Sequence, residues 1–273
     1  MRKNIILIVI VAILAVSTAL LIVRDFRKAT APVITQTTPI QGENPSDIKV
    51  ALKGAENVSQ ISGVSATKGQ PNLPLPLVPN LDRPIAFKGD FSGEMKSQIS
   101  ARAAELSGLL KKNSDSLGNW LDLGVLRKTI GDYDGAREAW EYANAIRPGN
   151  YVSFSNLGDL YHYYIKDYPK AEENLLQAIK NEPSHIGSYR ALVDLYTQSY
   201  TEKLGEVPSV LSDGLKKNPD NYDLLIMFAS YYKNAGDKVN AISYYNKAIA
   251  VADKFGQSAM KQTLLDEIKN LSQ

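Results

Sequence analysis

The stretch LGNWLDLGVLRKTIGDYDGAREAWEYANAIRPGN, residues 117–150, determines the fold of this chain. Its apolar residues recur every three or four positions on both sides of residues 131–133, which is the spacing of two amphipathic helices. Gly-Asp-Tyr at 131–133 marks a tight turn, and Pro148 ends the pattern. The stretch therefore predicts a helical hairpin.

The sizes of the side chains indicate how the two helices pack. Small residues at Gly124, Ala136 and Ala143 allow the helices to approach closely. The indole rings of Trp120 and Trp140 are large enough to fill the space that remains between them. We therefore predict a hairpin with a tightly packed interior.

This 34-residue pattern of small and large residues resembles the tetratricopeptide repeat, with Arg127 where that family prefers Tyr. Similar units follow; the second carries one inserted residue, and the third is degenerate with about two extra residues. The four units are residues 117–150, 151–185, 186–221 and 222–255. Because neither apolar face of a hairpin can be buried alone, the units are expected to stack. The resemblance implies an all-α fold, a right-handed superhelical solenoid of helical hairpins.

Further helices are predicted on both sides of the repeats. Residues 94–116 have the apolar spacing of one helix and are interpreted as an N-terminal capping helix or half repeat. Residues 256–273 have a similar pattern and resemble the helix that closes such arrays. Both segments are expected to cover an apolar end of the solenoid.

Residues 1–28 are predicted to be a single-pass transmembrane anchor with basic flanks. Residues 5–23 carry no charge, and a helix of this length would span about 30 Å, which matches the bilayer core. A cleaved signal peptide and a buried core helix are the alternatives, although the apolar run continues past the point where cleavage would fall. The short N-terminal tail resembles a signal anchor, which would place the repeats outside the cytoplasm.

Residues 29–93 are rich in Pro, Ser, Thr and Gln and poor in aromatic residues, so they are predicted to be a disordered linker. Within them, residues 71–79 favour polyproline II. Three interpretations of these nine residues remain open. They could be a docking peptide for an aromatic groove, a stiff spacer, or a strap that lies on the folded domain.

Composition excludes several classes of function. The chain has no cysteine, which removes disulfides and thiolate chemistry. Its net charge is +2, which predicts no nucleic-acid partner. No phosphate-binding glycine loop occurs, and the two histidines, His162 and His185, are too far apart in sequence to pair on one helix. We predict no enzymatic activity, no cofactor and no metal.

The resemblance implies a concave groove lined by the first helix of each hairpin. Carried onto this sequence, it predicts as partner-binding residues Asp122, Lys128, Ser155, Asn156, Asp159, His162, Tyr163, Arg190, Asp194, Asp223, Ser230 and Lys233. One group within the family holds C-terminal carboxylates with a clamp of Lys, Asn and Arg, and only Asn156 matches that clamp. The four groove Asp residues instead favour a partner segment of basic or amide character.

The sequence therefore predicts a membrane-tethered scaffold that binds a peptide segment or helix of a partner protein. An envelope or secretion assembly is the expected setting. The alternative is a self-assembling structural component of a membrane-associated complex. The partner and the oligomeric state are not determined by the sequence.

Overall fold

The computed structural model describes residues 75–273. The predicted anchor at residues 1–28 and the linker up to residue 74 lie outside the described residues. Within residues 75–273 the regular structure is helical, with no strand, so the predicted all-α fold is confirmed there. None of the helices in this range is both long and apolar enough to cross a bilayer.

The helices follow one another along the chain with short connections. They are α1 (Gly93–Lys112), α2 (Leu117–Thr129), α3 (Tyr133–Ile146), α4 (Tyr151–Asp159), α5 (Tyr168–Asn181), α6 (Ile186–Gln198), α7 (Val207–Lys217), α8 (Tyr222–Asn234), α9 (Lys238–Lys254) and α10 (Ser258–Ser272). Each helix packs against the next, and the hairpins are α2–α3, α4–α5, α6–α7 and α8–α9. Helix α1 packs on α2 and helix α10 on α9, at the two ends of the array.

Three of the second helices begin in the same way. The side chains of Asp132, Asp167 and Asp237 accept hydrogen bonds from backbone N–H groups three residues further on, at 3.1, 3.2 and 3.0 Å. An aspartate at the N-terminus of a helix accepts a hydrogen bond from an otherwise free N–H group, and its negative charge interacts favourably with the helix dipole. These turns therefore fix where α3, α5 and α9 start.

The interior of the first hairpin is filled as the residue sizes predict. Trp120, Trp140, Ala136 and Ala143 are completely buried. A Cβ atom at Gly124 would lie only 2.1 Å from Nε1 of Trp140, so this position has no room for a side chain. The close approach of α2 and α3 thus depends on the missing side chain of Gly124.

The inserted residue of the second repeat is accommodated by a change of helix type. Helix α4 continues directly into a π-helical turn, Leu160–Ile165, and Lys166 then adopts a left-handed conformation with φ of 64°. The N–H group of Asp167 donates back to the carbonyl of Tyr161 at 3.0 Å. Each hydrogen bond of a π-helical turn spans one residue more than in an α-helix, so such a turn accommodates one extra residue. It rotates the side chains that follow relative to those of the other repeats.

The third hairpin takes up its extra residues differently. A 3-10 helix, Thr201–Glu206, lies between α6 and α7. Lys203 of this helix pairs with Glu172 of α5 at 3.2 Å, so the insertion is held against the preceding repeat.

The prediction of disorder up to residue 93 is wrong for residues 81–91. We call residues 81–91 the strap; they are separate from residues 71–79, whose three interpretations stay open. Leu81, Ile85, Phe87 and Phe91 of the strap pack against the hydrophobic core. The N–H group of Lys88 donates to the carbonyl of Ile130 at 2.8 Å. These four apolar residues are spread over eleven positions, so their contribution was not visible in the polar average of the linker.

Arg127 explains why the strap is fixed. Its guanidinium is buried and donates to the carbonyls of Pro84 at 2.9 Å and Arg83 at 2.8 Å, and to Asp132 at 2.9 Å. A tyrosine, which the family prefers here, has one hydroxyl and could not serve three acceptors. The departure from the repeat pattern therefore has a structural purpose.

Candidate functional site

The predicted groove residues lie on α2, α4, α6 and α8 and on the π-helical turn, and they differ widely in exposure. Two are buried: Asp122 and His162. Seven are partly buried: Lys128, Ser155, Asn156, Asp159, Tyr163, Asp194 and Ser230. Three are exposed: Arg190, Asp223 and Lys233.

Asp122 does not present a free carboxylate in the groove, which corrects that part of the prediction. It is 4% exposed, and Arg102 of α1 donates to its Oδ2 at 3.0 Å. Burial raises the pKa of Asp122 to about 6, against the attraction of Arg102. This residue joins the capping helix to the first repeat.

Two exposed ion pairs involve the predicted groove residues of α6 and α8. Arg190 of α6 donates to Asp223 of α8 at 2.5 Å, and Lys233 of α8 donates to Glu267 of α10 at 2.6 Å. Exposed pairs of this kind contribute little to stability. They do mean that Arg190, Asp223 and Lys233 meet a partner as ion pairs and not as single charges.

The centre of the face contains one lysine that is turned toward aromatic rings. The Nζ of Lys128 lies 5.5 Å from the ring centre of Tyr164 and 6.0 Å from that of Trp140. Burial lowers the pKa of Lys128, while the charge of Asp159 opposes this effect. The rings of Tyr164 and Trp140 therefore position the ammonium group of Lys128, and the carboxylate of Asp159 attracts it from more than 4 Å away.

Two carboxylates accompany it. Burial, and then the charge of Asp194, raise the pKa of Asp159 to about 6, and Lys128 opposes the shift. Burial also raises the pKa of Asp194, with Arg190 opposing. Among residues 75–273 neither carboxylate accepts a hydrogen bond or forms an ion pair within 4 Å. Asp159 and Asp194 therefore lack a hydrogen-bond donor among the described residues, and the charge of Asp194 adds to the rise in the pKa of Asp159.

Tyr163 lies beside both carboxylates. Burial, followed by the charges of Asp194 and Asp159, raises the pKa of Tyr163 to about 12. Its ring stacks on His162 at 3.9 Å. The buried His162 shares a hydrogen bond of 2.9 Å between its Nε2 and Oγ of Ser199, and burial lowers its pKa. His162 therefore supports Tyr163 from beneath and does not itself line the open face.

Sequence reasoning missed Tyr164 as a groove residue. Tyr164 contacts Lys128 and also packs on Tyr133 with ring centres 4.8 Å apart. It follows the inserted residue, so its repeat position does not predict its direction. Only the π-helical turn shows that Tyr164 is placed beside the first repeat.

Replacing Asp159 with asparagine is expected to raise the free energy of unfolding by about 1–2 kcal/mol at pH 7. The ionised carboxylate is disfavoured in the folded state, since its pKa of about 6 lies above the ordinary 3.8. The penalty is fully present above pH 6 and disappears as the pH falls toward 4. Urea unfolding of both proteins at pH 7 and pH 4.5 would measure it.

Glu173→Gln is the control, because the carboxylate of Glu173 is exposed to solvent on α5. It should change stability by less than about 0.5 kcal/mol at either pH. A gain for Asp159→Asn that stays constant between the two pH values would contradict the explanation by ionisation.

Comparison with known proteins identifies the repeat type in one unit. The family model of the tetratricopeptide repeat matches residues 222–255, which are α8, α9 and their turn. No curated protein matches the chain. Several solved structures are distantly similar to this chain. Their sequence identities and TM-scores are too low to assign a partner or an activity to it.

Three of these structures are as follows. The crystal structure of MamA is 18% identical, with a TM-score of 0.48, and the alignment covers 63% of this chain and 99% of that one. YrrB, described as a TPR protein with an unusual peptide-binding site, is 17% identical, with a score of 0.43 and coverage of 58% and 83%. The pilF protein of Pseudomonas aeruginosa is 18% identical, with a score of 0.47 and coverage of 65% and 86%.

Proposed function

We propose that this chain is a non-enzymatic scaffold, tethered to a membrane by residues 5–23, that binds a peptide segment or helix of a partner protein on its concave face. The repeats would lie outside the cytoplasm and serve an envelope or secretion assembly. Proteins with tetratricopeptide repeats generally mediate protein–protein interaction, and one such repeat is found at residues 222–255.

One observation carries the proposal. The centre of the concave face combines partly buried Lys128, Asp159, Asp194 and Tyr163, whose polar groups lack hydrogen-bond partners among residues 75–273. An extended peptide brings many backbone N–H and C=O groups that require partners. Tyrosine also supplies a large contact area at a low cost in conformational entropy. A peptide backbone is therefore a suitable ligand for this surface.

The tether rests on the sequence alone. Residues 5–23 are uncharged and long enough to span the bilayer core as a helix. A tethered array of this kind would hold its groove close to the membrane surface, where envelope proteins are concentrated. Such a protein needs no catalytic group, which agrees with the expectation from composition.

Photocrosslinking from the groove tests the proposal in native membranes. Tyr163 replaced by p-benzoylphenylalanine is expected to form a discrete product with another protein, because the residue is partly exposed and belongs to the proposed groove. The same label at Glu173, exposed on α5, is the matched control and should form that product at less than about a tenth of the yield. After irradiation, alkaline washing should leave the chain in the membrane pellet.

The outcomes separate the parts of the proposal. Equal yields from both labels, or no product from Tyr163, would contradict binding on the concave face. A product between two copies of this chain would support the self-assembling alternative. Release of the chain by alkaline washing would contradict the tether and leave the groove unaffected.

A further inference from the structure

The charges on the concave face are largely paired with each other or with the end helices. Asp122 is paired with Arg102, Arg190 with Asp223, and Lys233 with Glu267, at distances between 2.5 and 3.0 Å. Each of these pairs contains one positive and one negative group. They contribute no net charge to the face, so two of the four aspartates, Asp122 and Asp223, give no preference for a basic partner.

Three charged groove residues remain without such a pair: Lys128, Asp159 and Asp194. They carry one positive and two negative charges when ionised, so the centre of the groove has an excess of one negative charge. Asp159 and Asp194 occupy the same repeat position on consecutive first helices, α4 and α6. The charge of Asp194 raises the pKa of Asp159, although burial and the opposing charge of Lys128 have larger effects.

Lys128 is already included in this balance, and its charge opposes the rise in the pKa of Asp159 only from a distance. Its ammonium group lies over the rings of Tyr164 and Trp140 at 5.5 and 6.0 Å, a cation–π geometry, and forms no ion pair within 4 Å. Because Lys128 is on α2, it is on the side of Asp159 that faces away from α6. Asp194 is likewise opposed by Arg190, which is paired with Asp223, so within residues 75–273 no cation lies within 4 Å of either carboxylate.

Tyr163 completes this region. Tyr163 follows Asp159 by about one helical turn, and burial and then the charges of Asp194 and Asp159 raise its pKa. The stacking on His162, with centres 3.9 Å apart, fixes the ring in place. A cation between the two carboxylates could also lie against this ring, and the attraction would be larger because the surroundings are partly desolvated.

We propose, on the basis of the proposed function, that Asp159, Asp194 and Tyr163 bind one lysine or arginine side chain of the partner peptide. The basic group forms charge-assisted hydrogen bonds with the two carboxylates, and its methylene stem packs on the ring. The occupant is a peptide side chain and not a metal ion. Within residues 75–273 no group of three or more acidic or histidine side chains is arranged to hold one.

Selection from a phage library of random dodecapeptides tests this inference. The full chain, in a nonionic detergent, is used as bait in three forms: the wild type, the double variant Asp159→Asn/Asp194→Asn, and the control Glu173→Gln/Asp213→Asn. The control changes the net charge by the same amount at two exposed positions. Peptides from the wild type and the control are expected to carry Lys or Arg at one common position, and those from the double variant should lack it.

A binding cycle makes the test specific. For the best wild-type peptide, replacing its basic residue with methionine should weaken binding to the wild type at least tenfold. The same replacement should change binding to Asp159→Asn/Asp194→Asn less than twofold, because the two changes remove one interaction. Binding should also be unchanged by a metal chelator.

Three results would overturn the inference and leave the proposed function standing. In the first, the selected peptides share no basic residue. In the second, replacing the basic residue of the peptide weakens binding equally to the wild type and to the double variant. In the third, a chelator abolishes binding, which would indicate a metal ion. If the wild-type chain selects no peptide above the background of the empty library vector, the proposed function itself fails. The two failures are therefore distinguishable.

Discussion

Replacing Arg127 with methionine is expected to lower the free energy of unfolding by about 3–5 kcal/mol. Methionine keeps most of the buried volume but removes the donors to the carbonyls of Arg83 and Pro84 and to Asp132. A buried acceptor without its donor bears the full cost of desolvation. Urea unfolding would measure the loss, and trypsin should cleave after Lys88 much faster, since the strap is no longer held.

The control for this prediction is Arg137→Met. Arg137 lies on α3 and pairs with Asp134 one turn away at 3.3 Å, with its side chain 33% exposed. Its loss should cost less than about 0.5 kcal/mol. The substitution Arg127→Tyr is the sharper variant, because it introduces the residue that tetratricopeptide repeats prefer at the corresponding position. If tyrosine stabilised the protein, the assignment of Arg127 to the strap would be contradicted.

The sequence predicts the helices well, because several residues in each repeat independently indicate a helical hairpin. Residues such as Trp120, Ala136 and Trp140 combine a helical period with the sizes that a hairpin interior needs, and all three are buried. The strap is the reverse case. Its apolar residues have no period and it is fixed by Arg127, which is 36 residues away from Phe91 in the sequence. Contacts between irregular segments leave no pattern that composition could reveal.

The candidate site is predicted less completely than the fold, for a related reason. Repeat position predicts which helix face a residue occupies, but it does not predict what stands opposite. Asp122 and Asp159 stand at repeat positions 6 and 9 of their units, both predicted to line the groove, yet Arg102 of the capping helix pairs with Asp122 alone. Likewise the π-helical turn directs Tyr164 toward Lys128. The difference in charge pairing between Asp122 and Asp159 could therefore be seen only in the structure.

Gly124→Ala is expected to destabilise the protein by about 3 kcal/mol, although alanine normally stabilises a helix relative to glycine. The added Cβ atom would lie 2.1 Å from Nε1 and 2.4 Å from Cε2 of Trp140. This ring is completely buried and cannot move aside, and its N–H group donates to the carbonyl of Leu121 at 3.2 Å. Urea unfolding, with hydrogen exchange along α2 and α3, would measure the size and place of the effect.

Gly108→Ala makes the same chemical change in α1, where a Cβ atom would meet nothing within 4 Å. Here the helix propensity acts alone, so the substitution is expected to stabilise the protein by about 0.5–1 kcal/mol. The two variants therefore differ in sign, and any general effect of replacing glycine cancels in the comparison. If Gly124→Ala also stabilised the protein, α2 and α3 could not pack as closely as the contact between Gly124 and Trp140 requires.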